Sequence, residues 1–358
     1  MHKIYESMDQ ADCAYIMHSG KLVFEISRND RYQLEGQEII FGAEEPLIAH
    51  REDKKHYFRF QTAYMEQGSR VDRIPLANLH KVITVYNIGY GIAKNIARCV
   101  QITNRIYINK EKKLSGKEMI SKDYALIYAD TIDRLRAVQE KVKVVWLKEV
   151  VDRYSNSLVY TKGEAFKRTA PKSDLKLMMD TLKEYTFNLP GGSILCEEGD
   201  QSNEMFILNR GLLEVYIGGK RVVEIRNSGA VIGEMALLLG EKRSATIKTV
   251  TDANITIIKP ENLKEVAQRD KNFFLDLAVS MGKRLEHNCN LIRETDDLLG
   301  ESGPLDASAP PKERTSYKEL LGFIRDLERY ELKYRNQWMT EILENAKRMM
   351  TKVRDQTK

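Results

Sequence analysis

Apolar and polar residues alternate along "MFILNRGLLEVYIGGKRVVEI" (205–225) with the two-residue period of a strand, and Gly218-Gly219 supplies the tight turn of a hairpin. "SATIKTVTDANITIIK" (244–259) alternates in the same way and is rich in β-branched residues. Beyond Pro260 the period changes. Leu263, Val266, Phe273, Phe274, Leu277, Met281 and Leu285 recur at helical spacing, and the first half of the chain turns helical in the same manner after Pro75. Ser121 to Tyr154 reads as helix, with Ile132, Leu135, Val142, Val145, Trp146 and Val150 on one side. Near the end, Leu320, Ile324, Leu327, Tyr334, Trp338, Ile342 and Ala346 form one long stripe that predicts a single amphipathic helix over Tyr317–Met350, interrupted only by Glu331. Such a helix needs a surface to cover its stripe, on this chain or on a partner. "TKGEAFKRTAPKSD" (161–174) reads as a charged loop, and "GESGPLDASAPPKE" (300–313) as a linker rich in proline and small residues.

The strand-then-helix pattern occurs twice. "YESMDQADCAYIMHSGKL" (5–22) lies on "CEEGDQSNEMFILNRGLL" (196–213) at one constant offset, which pairs Glu6 with Glu197, Asp9 with Asp200, Tyr15 with Phe206 and Gly20 with Gly211. "IIFGAEEPLI" then answers "AVIGEMALLL", and "RIPLANL" answers "IKPENL". The expected fold class is α+β: two jelly-roll-like antiparallel β-barrels with flanking helices, a helical connector and a C-terminal helix. The boundaries that follow are 1–113, 114–180 (connector), 181–299, 300–315 (linker) and 316–358. The first copy begins late, with no counterpart of "FNLPGGS" ahead of Met1.

Composition changes this picture little. The 57 basic and 52 acidic residues leave a net charge of +5, too mixed for a large field of one sign. The four cysteines, Cys13, Cys99, Cys196 and Cys289, form no CxxC pair, so reduced thiols are expected rather than zinc or redox chemistry. His50 and His56 flank the "REDKK" loop without partners at ligand spacing, so no metal is expected. The N-terminus lacks an apolar signal core, and the uncharged run Val82–Ala93 falls short of the ~20 residues that span a bilayer. A cytoplasmic protein with no membrane insertion is the expectation. P-loop, GxSxG, HExxH and kinase signatures are absent, which argues for a non-enzyme.

The chemistry concentrates in "IGEMALLLGEKRSAT" (232–246). Gly233 permits close backbone approach, and "EMALL" suits a single helical turn from Glu234 whose free N–H groups favour an anion. Arg243 offers a planar fork for phosphate oxygens, and the small Ser244 and Ala245 let main-chain donors reach them. Glu234 is better turned towards a ribose hydroxyl than towards a phosphate. The stretch resembles the phosphate-binding cassette of the cyclic nucleotide-binding domain family, found in regulatory subunits of cyclic-AMP-dependent protein kinase and in the bacterial catabolite activator protein. The resemblance covers about Leu182–Leu298 and includes "PGGSILCEEGDQSNEMFILNRGLLEVY", with turn glycines Gly192, Gly199 and Gly211. It implies that Glu234 binds the ribose 2′-hydroxyl and Arg243 the cyclic phosphate. Gly233, Met235 and Ala236 would give backbone or wall contacts, and Ser244 and Ala245 would line the phosphate. Lys242 stands where many members have proline.

The first copy is degenerate by this measure. Ala43 stands opposite Glu234, Glu44 and Glu45 follow, and counting back from the shared proline sets Phe58 against Arg243, with Arg59 one place off. The expected protein is a cyclic mononucleotide receptor, with cAMP favoured over cGMP. It would signal by helix rearrangement to a protein partner or a second copy through the C-terminal helix. Asn272–Leu298 would act as a lid, with His287, Asn288 and Asn290 near the base. A transcription regulator of the catabolite activator type would need a helix-turn-helix, and an unbroken C-terminal helix argues against it and against nucleic acid. A scaffold with an unused pocket is the third reading.

Overall fold

The computed structural model describes residues 1–114, 116–167, 179–299 and 313–355. The first repeat contributes β1 (His2–Tyr5), β2 (Cys13–Glu25), β3 (Arg31–Phe41), α1 (Glu44–Arg51), β4 (Thr62–Met65), β5 (Val71–Pro75), α2 (Leu76–Val82) and α3 (Tyr86–Glu111). Helices α4 (Gly116–Val142), α5 (Val145–Ser155) and α6 (Leu158–Phe166) follow. The second repeat holds β6 (Thr186–Leu189), β7 (Ile194–Cys196), β8 (Met205–Arg210), β9 (Leu213–Ile217), β10 (Lys220–Ile225), β11 (Ala230–Ile232), α7 (Glu234–Leu239), β12 (Thr246–Thr249), β13 (Ala253–Ile258), α8 (Leu263–Arg269) and α9 (Phe273–Leu299). The last two elements are α10 (Glu313–Tyr334) and α11 (Gln337–Asp355). The α+β class stands.

Closed barrels, however, do not form. In the second repeat the strands make two antiparallel four-stranded sheets, ordered β10-β9-β12-β7 and β11-β8-β13-β6. The chain passes from one sheet to the other between β8 and β9, at Gly211. Its φ is +118°, and a Cβ there would lie 2.8 Å from the Cα of Ala253. Phe206, Leu208 and Ile255 from one sheet and Leu213, Ile247 and Cys196 from the other share one apolar cluster. In the first repeat β2 runs unbroken through Gly20, so a single five-stranded sheet results, β1-β4-β2-β3 with β5 also on β2.

The described chain divides into two compact units. One contains both sheet regions, α1, α2, α7, α8, most of α3, and α9 as far as Cys289. Within it, the stripe Phe273, Leu277, Met281 and Leu285 of α9 is fully buried. Groups of the first repeat line that helix. Arg51 pairs with Asp276 at 2.7 Å, Tyr57 donates to Glu286 at 2.9 Å, and a Cβ on Gly282 would touch Glu44 and Ile48 at 3.1 Å. A lid with a free apolar face is therefore not what α9 presents. Asn288 is also spent: it donates to Val100 O and Thr103 Oγ1 of α3 at 3.2 and 3.0 Å, rather than waiting for a base.

The other unit is helical. Ile132, Leu135, Leu147 and Val150 of α4 and α5 share a buried cluster with Leu320, Ile324, Leu327, Ile342 and Ala346 of α10 and α11. Two expectations change here. The C-terminal helix is not continuous but turns at Arg335-Asn336, where Arg335 takes φ +48°. Most of its stripe is covered by its own chain, while Tyr317, Leu332, Tyr334 and Met349 stay exposed. The connector is likewise broken, with Lys143 at φ +50°, which leaves Val142 and Val145 exposed. Part of the charged loop is helix as well, since Ser157 caps α6 by accepting from Tyr160 N at 3.0 Å. The rest of that loop beyond Lys167 lies outside the described residues, as does nearly all of the 300–315 linker, whose last three positions open α10.

Candidate functional site

Strand β11 ends at Gly233, which caps α7 in the left-handed region at φ +81°. Conformation and space both demand glycine. A Cβ there would lie 2.2 Å from Arg243 Nη1 and 2.9 Å from Glu204 O. The expected single helical turn forms as α7, and Gly240 at φ +67° closes it. Met235 and the buried Ala236 lie in this turn.

Arg243 is held at both ends. Its N–H donates to Asp200 O at 2.9 Å, and its carbonyl accepts from Gly199 N at 2.8 Å. The side chain is 3% exposed. Nε donates to Ser202 Oγ at 2.7 Å and Nη2 to Glu204 Oε2 at 3.1 Å, while the guanidinium lies 5.0 Å from the ring centre of Phe206. Nη1 is buried with no hydrogen-bond partner among the described residues. A buried guanidinium N–H left unmade is costly, so the site is short of one acceptor. Ser244 and Ala245 follow directly into β12, the first exposed and the second buried.

Glu234 is also buried, and its carboxylate accepts from Arg284 of α9. The structure thus brings Gly233, Glu234, Arg243 and Ala245 into one cassette and adds residues that the pattern did not single out. Ser202 and Glu204 sit inside the quoted upstream segment, and the repeat offset pairs Glu204 with Cys13. Arg284 carried no signal, being one cation beside an apolar stripe.

The first repeat preserves more of this frame than counting from the proline suggests. Arg59 N donates to Asp9 O at 2.9 Å and Met8 N donates to Arg59 O at 3.1 Å, the same pair of bonds that holds Arg243. The Glu6 and Glu197 N–H groups donate alike to Asp9 and Asp200. Ser7 and Glu198 donate alike to Thr62 and Thr246. The guanidinium of Arg59 approaches Gly42 as that of Arg243 approaches Gly233, and lies 5.8 Å from Tyr15, the counterpart of Phe206. Arg59, not Phe58, is therefore the counterpart of Arg243. The inserted "HREDKKH" loop and unequal spacing to the proline displaced the count. Ala43 does stand where Glu234 does, so the first repeat has no carboxylate at that position.

Two sheets share a core, and a glycine-capped turn carries a buried carboxylate next to the glycine that Arg243 approaches. Residues 186–270 match the family model of the cyclic nucleotide-binding domain, and that stretch is a domain of this family. The chain is 28% identical over 104 residues to the Pycsar effector protein XpPycTIR of Xanthomonas perforans, a match that spans 29% of this chain and 34% of that protein. It is 29% identical over 108 residues to human cGMP-dependent protein kinase 2, across 30% of this chain and 14% of the kinase. It thus spans about a third or less of these relatives, and what their other parts do does not carry over. A solved structure of cAMP-bound PfPKA-R (141–441) is 15% identical, covers 74% of this chain and 69% of its own, and has a TM-score of 0.26. Among the described residues no cluster of three or more His, Cys, Asp or Glu side chains could hold a metal ion, and no helix is long and apolar enough to cross a membrane.

Proposed function

We propose that the chain is a non-enzymatic, cytoplasmic receptor that takes one cyclic mononucleotide in its second repeat. Arg243 Nη1 carries the reading: it is a buried donor with no acceptor among the described residues, and a cyclic phosphate oxygen would supply one. Glu234 receives the ribose 2′-hydroxyl, Gly233, Met235 and Ala236 form the wall, and Ser244 and Ala245 flank the phosphate. cAMP is favoured over cGMP, and this choice rests on the sequence resemblance alone. The domain organisation proposed is 1–113, a helical region 114–180, the nucleotide-binding domain 181–299, and a two-helix C-terminal segment.

The signal would pass through α9, because Arg284 of that helix holds Glu234. A ribose that competes for this carboxylate alters the tie between cassette and helix. A ligand shifts such an equilibrium only by its unequal affinity for the two arrangements.

The break at Arg335-Asn336 removes the argument that an unbroken helix gave against a DNA-binding regulator. The apolar faces of α10 and α11 are nevertheless mostly spent in their own bundle. Calorimetric titration of the full chain with cAMP and with cGMP tests the proposal, beside Arg243→Ala. The wild type should take one equivalent, and the variant should lose on the order of 2–5 kcal/mol, at least about tenfold in affinity. Unchanged affinity in a folded variant refutes the assignment, and a DNA-shift assay would expose the regulator reading.

A further inference from the structure

The counterpart of Ala236 in the first cassette is Glu45, counted from Gly233 and Gly42. Its side chain is fully buried against Arg59, which is itself 2% exposed. Glu45 Oε2 accepts from Arg59 Nη1 at 3.1 Å, and Oε1 accepts from Phe60 N at 3.0 Å. Those two donors are a guanidinium Nη1 and the main-chain N–H of the next residue. In the second cassette Arg243 Nη1 is a donor with no partner among the described residues. The other bonds of Arg59 go to Gly42 O at 2.6 Å and Cys13 O at 2.5 Å, and its guanidinium lies 4.4 Å from the ring centre of Tyr5.

We infer that the carboxylate of Glu45 is the resident anion of the first cassette, reaching Arg59 from the position that Ala236 holds in the second. The first repeat is then not a site that lost its arginine. It kept the arginine and the frame, and carries its own acidic ligand on α1. Glu44, the neighbouring carboxyl, does not compete for Arg59. Burial, aided by the Glu45 charge, pushes it up to about 8, so near neutral pH it is largely protonated. Helix α1 is also the helix that Gly282 of α9 meets, through Glu44 and Ile48. The resident anion therefore fixes one seat of α9 at every nucleotide concentration. This inference does not depend on nucleotide binding by the second repeat.

The test is chemical rescue in the full chain. Glu45→Ala deletes an acetate-sized group beside Arg59, whereas Glu45→Gln keeps an acceptor for Phe60 and leaves no space. Hydrogen exchange at residues 59–61 and in α1 is followed in sodium acetate against sodium chloride at equal ionic strength. At roughly ten times its Kd, acetate should raise protection in Glu45→Ala about tenfold, by mass action on the native state. The wild type, Glu45→Gln and the double variant Glu45→Ala/Arg59→Ala should not respond. If Glu45→Ala does not fold in chloride, recovery of fold in acetate alone is the expected result. A folded Glu45→Ala indifferent to acetate, or one that fails to fold in both salts, overturns the inference.

Discussion

The α-carbon of Gly233 lies so close to Arg243 that a single added methyl would stand 2.2 Å from the guanidinium Nη1. The glycine is therefore part of the arginine's seat. Gly233→Ala should weaken nucleotide binding through Arg243 while leaving every charged group in place. Its left-handed backbone alone costs about 1–2 kcal/mol for a residue with a Cβ, and the methyl must also push back Nη1 or the carbonyl of Glu204. A drop in melting temperature together with at least about tenfold weaker binding, by calorimetry, is the expected result. Wild-type affinity in this variant would mean that Arg243 can leave its seat and still bind.

This seat was legible in the sequence because its chemistry is packed into fifteen consecutive residues with two glycines at fixed places. What lies opposite it was not. Arg284 reaches Glu234 from a helix fifty positions away, and the cation has no pattern of its own. The breaks at Lys143 and Arg335 use left-handed backbone at residues other than glycine, so the sequence carries neither the Gly nor the Pro that marks a turn. Arg59 was visible but misplaced, since counting from Pro75 assumes equal loops. Most of the hydrophobic stripes are buried as read, but Val142, Val145 and Tyr334 are exposed at or near the two breaks. Which surface buries them is a property of the tertiary fold, and the long C-terminal stripe turned back on its own chain.

Arg284→Ala separates an electrostatic role from a merely steric one. Glu234 is almost fully buried, and Arg284 is the cation it contacts. Without that cation a ribose hydroxyl no longer competes for the carboxylate, so nucleotide affinity should tighten in Arg284→Ala and in Arg284→Met, which keeps much of the bulk but not the charge. Arg284→Lys, which keeps the charge, should stay near the wild type by calorimetry. The same change in all three variants would leave Arg284 with a packing role only.

His18 gives the first sheet a pH dependence of its own. Its Nε2 lies 2.7 Å from Asp72 and its Nδ1 2.9 Å from Glu38, and these hydrogen bonds, that to Asp72 first, raise its pKa above the ordinary histidine value. The folded-state value thus exceeds the unfolded one. The contribution to stability is fully present below the unfolded pKa and is lost as pH rises through the folded one. His18→Gln should lower the melting temperature in mildly acidic solution and leave it near the wild type in mildly alkaline solution. Equal effects at both ends would show that the ring acts by shape rather than by charge.

In the helical unit α6 meets α4 at Gly163. A Cβ there would lie 2.1 Å from Ala125 O and 2.7 Å from the Ala129 side chain, so α6 touches α4 backbone to backbone. Alanine is the better helix former by up to ~1 kcal/mol, and in an open helix it would stabilise. Here the steric term has the opposite sign and is larger, because the carbonyl it strikes belongs to a helix backbone that cannot turn aside as a side-chain end can. Forcing α6 off α4 also strains the packing around Val159 and Phe166, both buried. Overpacking of this kind costs about 1–3 kcal/mol. Gly163→Ala should therefore lower the thermal midpoint and raise hydrogen exchange in α6, while the affinity for nucleotide, set in the other unit, stays unchanged. A more stable variant would mean that α6 does not sit on α4 in solution.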